Sequence, residues 1–504
     1  MTHLEFNKMD TRGLLDRMTK KNMFFLSGSA ALMVICGILL NKYLKGELKF
    51  TSLQLLLILY KLHQMQAHKA QSSSKASHTE QKEIHKPIDY PTFQELLKNV
   101  PLPAGAVDLD AFDRNTDMLA NYIRENGDGK TVRIATKSIR VPALILRVLK
   151  RHPDIFKGVM CFSAKEAELL SKHDINDILI AYPTVQESDL AILRKLHVND
   201  TKVSLVVDSV EQMKALENAM KGVEKPFPIV IEVDMSLRLF NGLIHLGVHR
   251  SPIESMDDLR SLLQASRDYP SLIAIGSMAY DAADAGLPDL DPHKKLLNPL
   301  ASLVRNLVAL NAQYIRDQIP AVFEELGIKL EIFNGGGTGS VNRVVKKKES
   351  TEVVTNQDTK KKELTEVTVG GGLLCAYQFS NYTNLQGPFS FKPAIFFILQ
   401  ATRKPKEDYV TCLGGGYVAS GDPGWNRVPK LYMPEGSELT STQACGEAQT
   451  PVKGKNLPSI GGIILFRPSK SGEIAEHFNN YVLISKNQIV DEVKTYRGFG
   501  LCAL

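Results

Sequence analysis

The chain has 504 residues, 43% of them hydrophobic and 23% charged, with a formal net charge of +6. Such a length buries a large core and asks for more than one domain. The small net charge, the single Trp and the 7% aromatic content give little support to a nucleic-acid-binding surface.

The six cysteines (Cys36, Cys161, Cys375, Cys412, Cys445 and Cys502) are scattered, without C-x-x-C or zinc spacing. Free thiols in a reducing compartment are expected rather than a disulfide framework.

Residues 1–86 read as a membrane anchor and a polar tether. Met23–Leu40 carries no charge, is flanked by Lys20, Lys21 and Lys42, and is just long enough to span a bilayer. No small-x-small cleavage site precedes Lys42, so a single-pass anchor is expected rather than a signal peptide. Leu53–Leu62 is too short to span easily; an interfacial position and a hairpin with the first helix both stay open. Lysines on both sides of 23–40 leave the orientation and the membrane unspecified. Gln64–Lys86 is rich in Ser, His and Lys, as a flexible tether would be.

From 87 to 384 apolar strands alternate with helical patterns. Strands are predicted at Val132–Thr136, Gly158–Phe162, Ile178–Ala181, Val203–Val207, Pro228–Val233, Leu272–Ser277, Lys329–Phe333 and Glu366–Leu374. Helices are predicted at Pro142–Lys150, Ala164–Lys172, Glu187–Leu196, Val210–Met220, Met256–Ala265 and Leu296–Leu326. Pro142 suits a first helical position, and Asp208-Ser209 ahead of Val210 resembles a cap, with Gln212 placed for a capping box. Eight strands with intervening helices predict a (β/α)8 barrel, whose functional residues gather at the C-terminal strand ends. Lys137, Tyr182, Asp208, Asp234, Tyr280 and the loop 334–340 fall at or just past such ends.

Two of these positions carry chemistry when taken together. Val132-Arg-Ile-Ala-Thr-Lys-Ser138 ends an apolar strand in one amine, and Asn334-Gly-Gly-Gly-Thr-Gly-Ser340 ends another in glycines and two hydroxyls. Alone, the first is an ordinary solvated strand end and the second an ordinary turn. As a pair they fit a lysine that forms a Schiff base and a loop that offers N–H groups to a phosphate, which points to pyridoxal 5′-phosphate.

The last barrel repeat is interrupted by a duplication. Lys346-Lys-Lys-Glu-Ser-Thr-Glu-Val-Val-Thr355 recurs as Lys360-Lys-Lys-Glu-Leu-Thr-Glu-Val-Thr-Val369. The second copy is expected to lead into the eighth strand, because Gly370-Gly-Gly372 and an apolar run follow it; the first is expected to be a solvated loop. From 385 to 504 the helical rhythm gives way to short β-like runs at Ala394–Thr402, Tyr409–Leu413, Gly461–Phe466, Tyr481–Ile484 and Gln488–Val493, a β-rich domain.

Seven ordered motifs carry a family resemblance. They are Ile134-Ala-Thr-Lys-Ser-Ile-Arg140, Leu246-Gly-Val-His-Arg-Ser-Pro252, Gly276-Ser-Met-Ala-Tyr280, Asn334–Ser340, Thr411–Gly421, Gly446-Glu-Ala-Gln-Thr-Pro451 and Thr495-Tyr-Arg-Gly498. From about Tyr90 to the C-terminus the chain resembles the D-serine dehydratase and D-threonine aldolase family, in its amino acid deaminase/aldolase branch. The resemblance implies an alanine-racemase-type fold, a cofactor barrel followed by a β domain that a segment near Tyr90–Val107 joins. It also implies Lys137 as the Schiff-base lysine, with Gly336, Gly337, Thr338, Gly339 and Ser340 as the phosphate cradle. Tyr182 and Arg250 are further expected at the cofactor, Tyr280 beside Lys137 as a catalytic group, and His245 close by.

Metal-dependent relatives carry a His-x-Cys or His-x-Asp pair in the β domain. The corresponding positions here are His477 and Asn479, and an amide is a weak ligand beside thiolate or carboxylate, so no tightly held zinc is expected. The reading that follows is a membrane-anchored lyase for a D-3-hydroxy amino acid such as D-serine or D-threonine, with a homodimer left open. A non-catalytic cofactor carrier and a membrane scaffold are the alternatives.

Overall fold

The computed structural model describes residues 87–239, 242–345, 363–387, 389–421 and 424–502. The expected anchor at 23–40, the run 53–62, the tether up to residue 86 and the first repeat at 346–355 lie outside the described residues. Among the described residues no helix is long and apolar enough to cross a membrane.

Strand β1 (Ala104–Asp108) comes first, followed by β2 (Thr131–Ala135), β3 (Phe156–Cys161), β4 (Asp177–Ile180), β5 (Lys202–Val207) and β6 (Phe227–Glu232). A small hairpin, β7 (Leu237–Leu239) and β8 (Ile244–Leu246), precedes β9 (Leu272–Ala279), β10 (Ile332–Gly335) and β11 (Glu366–Val369). β2 to β6 and β9 to β11 close into a parallel barrel in chain order, with β11 pairing back onto β2. All eight predicted barrel strands have a counterpart, but the seventh, expected at Lys329–Phe333, is shifted to Ile332–Gly335 and takes in the first two residues of the predicted loop 334–340.

Alternation explains which side chains fill the barrel. Ile178 and Ile180, Leu205 and Val207, and Ile229 and Ile231 pack in the cluster under the helices. Their neighbours Leu179, Val206 and Val230 join Met278 and Ile332 in a separate cluster on the opposite strand face, the lumen. On the side of β10, β11 and β2 the lumen is polar. Arg133, 2% exposed, donates to both oxygens of Glu366 (2.8 and 2.9 Å) and to Asp177 (2.7 Å). Asn334 donates to Glu366 and to Thr368, each at 2.8 Å.

Helix signals act locally as the residues suggest. Pro142 opens the helix Pro142–Arg151, and Ser209 accepts from Gln212 N ahead of the helix Val210–Met220. The Gln212 amide reaches back to Asp208 rather than to Ser209.

Two predictions are corrected. The helix expected over 296–326 divides into Asn298–Arg316 and Ile319–Glu325. Pro320 sits in the first turn of the second piece, where its missing N–H is harmless, whereas it would clash with the carbonyl four residues back in one continuous helix. The strand expected to reach Leu374 stops at Val369, and Gly371–Leu374 forms one helical turn. Gly370 turns the chain there against the barrel: a Cβ on it would lie 2.3 Å from Ala135 O.

The C-terminal sheet contains β12 (Ile395–Lys406), β13 (Tyr409–Leu413), β14 (Lys430–Met433), β15 (Glu438–Leu439), β16 (Gln449–Lys453), β17 (Ile463–Arg467), β18 (Asn480–Ser485) and β19 (Gln488–Lys494). β1 lies between β12, antiparallel, and β18, parallel, so the start of the described chain is part of this sheet. The helix Tyr90–Leu97 covers it, with Phe93 and Leu97 in one cluster with Phe396, Ile398 and Val482.

Removing one partner from a buried ion pair costs about 3–5 kcal/mol, because the other charge stays buried. Glu366→Ala should therefore destabilise the protein by roughly that amount in urea unfolding, and Arg133→Met with Glu366→Leu should lose less than the single change.

Candidate active site

β2 ends at Ala135, and Thr136–Ser138 form a single 3-10 turn at the barrel's C-terminal mouth. Thr136 and Ile139 are buried and anchor the turn, while Lys137 between them is exposed. Its Nζ donates to the Tyr182 hydroxyl at 3.0 Å. The Arg250 guanidinium lies over the Tyr182 ring at 5.0 Å and over the Tyr280 ring at 5.6 Å. Gly337 closes the group, since a Cβ on it would lie 3.2 Å from Tyr280 Cε2. Lys137, Tyr182, Arg250, Tyr280 and the glycine loop, far apart in sequence, thus meet at one place.

The loop after β10 depends on its glycines. Gly336 has φ +74°, and Cβ atoms on Gly337 and Gly339 would lie 2.9 Å from Ala285 Cβ and 2.3 Å from Ala285 O. The hydroxyls of the loop hold its own backbone: Ser340 Oγ accepts from Gly337 N at 3.1 Å, and Thr338 Oγ1 from Gly372 N at 3.1 Å.

The two tyrosines are driven in opposite directions. Burial works to raise the Tyr182 phenol, but the Lys137 ammonium at hydrogen-bond distance and Arg250 outweigh it and hold it below the usual range. Burial, together with Asp281, holds the Tyr280 phenol well above that range. One ring is therefore readier to give up its proton, and the other keeps it.

Some residues were missed by the sequence reading, and others stand apart. Glu232, at the end of β6, lies 3.4 Å from Arg250, and burial pushes its carboxyl up to about 7. The available signal was a lone acid closing the apolar run Phe227-Pro-Ile-Val-Ile. Asp208 is also raised by burial and engages Gln212. Asp234 pairs with Arg238 at 2.6 Å, and His245 bonds His249 at 3.1 Å on the β7–β8 hairpin rather than the Lys137 group. His477 and Asn479 are both exposed, and the His477 ring packs on Tyr417 at 4.6 Å. Among the described residues no three His, Cys, Asp or Glu side chains gather as a metal nest.

Residues 107–318 match the family described as alanine racemase, N-terminal domain. The chain is 23% identical over 242 residues to 3-hydroxy-D-aspartate aldolase of Paracoccus denitrificans (strain Pd 1222), across 48% of this chain and 55% of that protein. It thus spans about half the length of the curated relatives it matches. Among solved structures, D-threonine aldolase from Filomicrobium marinum superposes with a TM-score of 0.65 at 20% identity, covering 80% of this chain and 96% of the other. D-threo-3-hydroxyaspartate dehydratase from Delftia sp. HT23 gives 0.61 at 16% identity, over 79% and 98%. The matched domain and these structures bear out the expected alanine-racemase-type fold, a barrel followed by a β-sheet domain.

Glu232 also makes a prediction about pH. Its folded pKa is raised from 4.5 to about 7, so the folded state binds the proton more tightly than the unfolded one. The stability it contributes is complete below about pH 4.5 and is lost as pH rises through about 7. Glu232→Gln should therefore flatten the fall in unfolding free energy over that window, measured by urea titrations at several pH values.

Proposed function

We propose that the chain binds pyridoxal 5′-phosphate through Lys137 and acts as a lyase on D-3-hydroxy amino acids. The observation that supports this best is the exposed Lys137 amine at a strand end, held by Tyr182 in one cluster with the 336–340 loop. The residues present suit the cofactor. An open amine can meet an aldehyde, glycines leave room for a phosphate against backbone, and Tyr182, Arg250 and Tyr280 offer flat surfaces and positive charge to a planar anionic ring. When bound, the cofactor supplies a conjugated ring that takes up electrons from a bond broken at the substrate's Cα.

The chain's own residues then have separate work. Lys137, once free, takes or returns a proton at Cα. Tyr182, held below the usual phenol range, accepts a proton from the Lys137 side of the site or passes one back. Tyr280, whose phenol burial holds well above the usual range, keeps its proton and is available as a hydrogen-bond donor to substrate. Arg250, tied to Glu232, orients both rings. Relatives named for 3-hydroxy-D-aspartate and D-threonine support a β-hydroxy substrate of D configuration. Two outcomes share this site: loss of the hydroxyl gives a 2-oxo acid and ammonia, and Cα–Cβ cleavage gives glycine and an aldehyde.

Purified protein should show a near-visible absorbance band that borohydride removes, leaving a modified peptide that contains Lys137. Lys137→Ala should lose both. Gly337→Val should weaken cofactor uptake about tenfold or more, because its side chain occupies space already filled by Ala285 and Tyr280. Incubation with D-3-hydroxyaspartate, D-threonine and D-serine, with product analysis, identifies the reaction. A protein that stays colourless after incubation with the cofactor overturns the proposal.

A further inference from the structure

The turn that carries Lys137 is not held by the barrel alone. Two of its carbonyls, and that of Arg140 just past it, have side-chain or β-domain donors. Lys137 O accepts from Arg140 Nε at 3.1 Å, Ser138 O from Ser471 Oγ at 2.7 Å, and Arg140 O from Tyr496 N at 2.9 Å. Ser471 and Tyr496 both belong to the C-terminal β domain. So does Glu476, whose Oε1 accepts from Arg140 Nη1 at 2.5 Å. Arg140 is a charged side chain only 5% exposed, with φ +55°, and its guanidinium lies 4.9 Å from the Phe162 ring.

Among the described residues Glu476 is the carboxylate at ion-pair distance from that guanidinium, with the buried Glu166 acting on it only electrostatically, and the guanidinium in turn holds the carbonyl of the reactive lysine. The fit is tight on the other side as well. A Cβ on Gly472 would lie 1.8 Å from Lys137 O and 3.1 Å from Ser138 Cα, so the β-domain backbone lies directly against the lysine's own backbone.

We propose that Glu476 is a positioning residue. Acting through Arg140, it fixes the backbone of Lys137 so that the amine points across the mouth toward Tyr182 and the 336–340 loop. Glu476 touches neither amine nor loop. Its effect falls on the direction of Lys137, and a misplacement of about 1 Å at a reacting group can cost on the order of a hundredfold in rate.

The inference rests on the cofactor reading above, and the test separates the two. Pyridoxamine 5′-phosphate carries the same ring and phosphate but no aldehyde, so it reports the cradle without Lys137 chemistry. For Glu476→Ala, the borohydride-trapped linkage of pyridoxal phosphate at Lys137 should form about tenfold more slowly or worse, with pyridoxamine phosphate affinity within about twofold of the parent. Glu476→Gln keeps an oxygen for Arg140 and should restore most of the rate. If the alanine variant does not fold, Glu476→Asp carries the test: it keeps the charge but draws the carboxylate back from Arg140, and should slow linkage with unchanged analogue affinity.

A linkage rate equal to the parent's in folded Glu476→Ala, or in the variant that stands in for it, overturns the positioning role alone. A parallel loss of linkage and analogue binding also overturns it, by making Glu476 merely structural. A parent protein that takes up neither compound overturns the cofactor reading and this inference with it.

Discussion

A buried arginine closes this barrel. Arg133 stands on the first barrel strand, and its two carboxylate partners stand on the last and the third, with Asn334 and Thr368 completing the set. A guanidinium in a barrel lumen has no tolerable state without those partners, because desolvation outweighs any single contact. The pairing therefore specifies more than it stabilises. It fixes which edge β11 meets and in what register, and through that register it fixes where the Lys137 turn and the glycine loop emerge at the opposite end.

At that end the electrostatics depend on contrast. Two phenols share one arginine, yet one sits beside an ammonium and the other beside Asp281 in a drier setting. Neither tyrosine differs chemically from the other; the difference arises from neighbours delivered by separate strands. Glu232 behind Arg250 tempers the positive charge, and its own protonation near neutrality lets that tempering vary with pH.

Much of this was legible in the sequence because it is local. Apolar, β-branched runs marked all eight barrel strands, and the lysine and glycine strand ends were chemically conspicuous. What escaped depends on distance along the chain. Glu166 reads as an ordinary polar position on a helix, yet it is buried, accepts from Tyr496 OH at 2.7 Å, and is pushed by burial up to about 7. Glu476 likewise gains meaning only beside Arg140, 336 residues earlier. β14 to β16 were missed because short strands among Pro and Gly clusters owe their pairing to partners, not to their own periodicity. Pro320, by contrast, is a local signal, since its ring alone requires the break between Asn298–Arg316 and Ile319–Glu325.

The duplicated segment leaves the barrel with two sequences suited to one slot. Val367 of the occupying copy matches Val353 of the other, and Glu363 and Glu366, which meet Lys130 and Arg133, match Glu349 and Glu352. The copies differ at three of the ten positions: the buried Leu364 is Ser350 in the other copy, and Thr368-Val369 is replaced by Val354-Thr355. A valine in place of Thr368 removes one of Asn334's lumen partners and leaves it Glu366, and a threonine in place of Val369 puts a hydroxyl among the apolar side chains under the helices. Each exchange costs about 1–3 kcal/mol. Strand identity thus rests on three side chains, the buried Leu364 and the order of the pair that follows Val367, and all three favour the second copy.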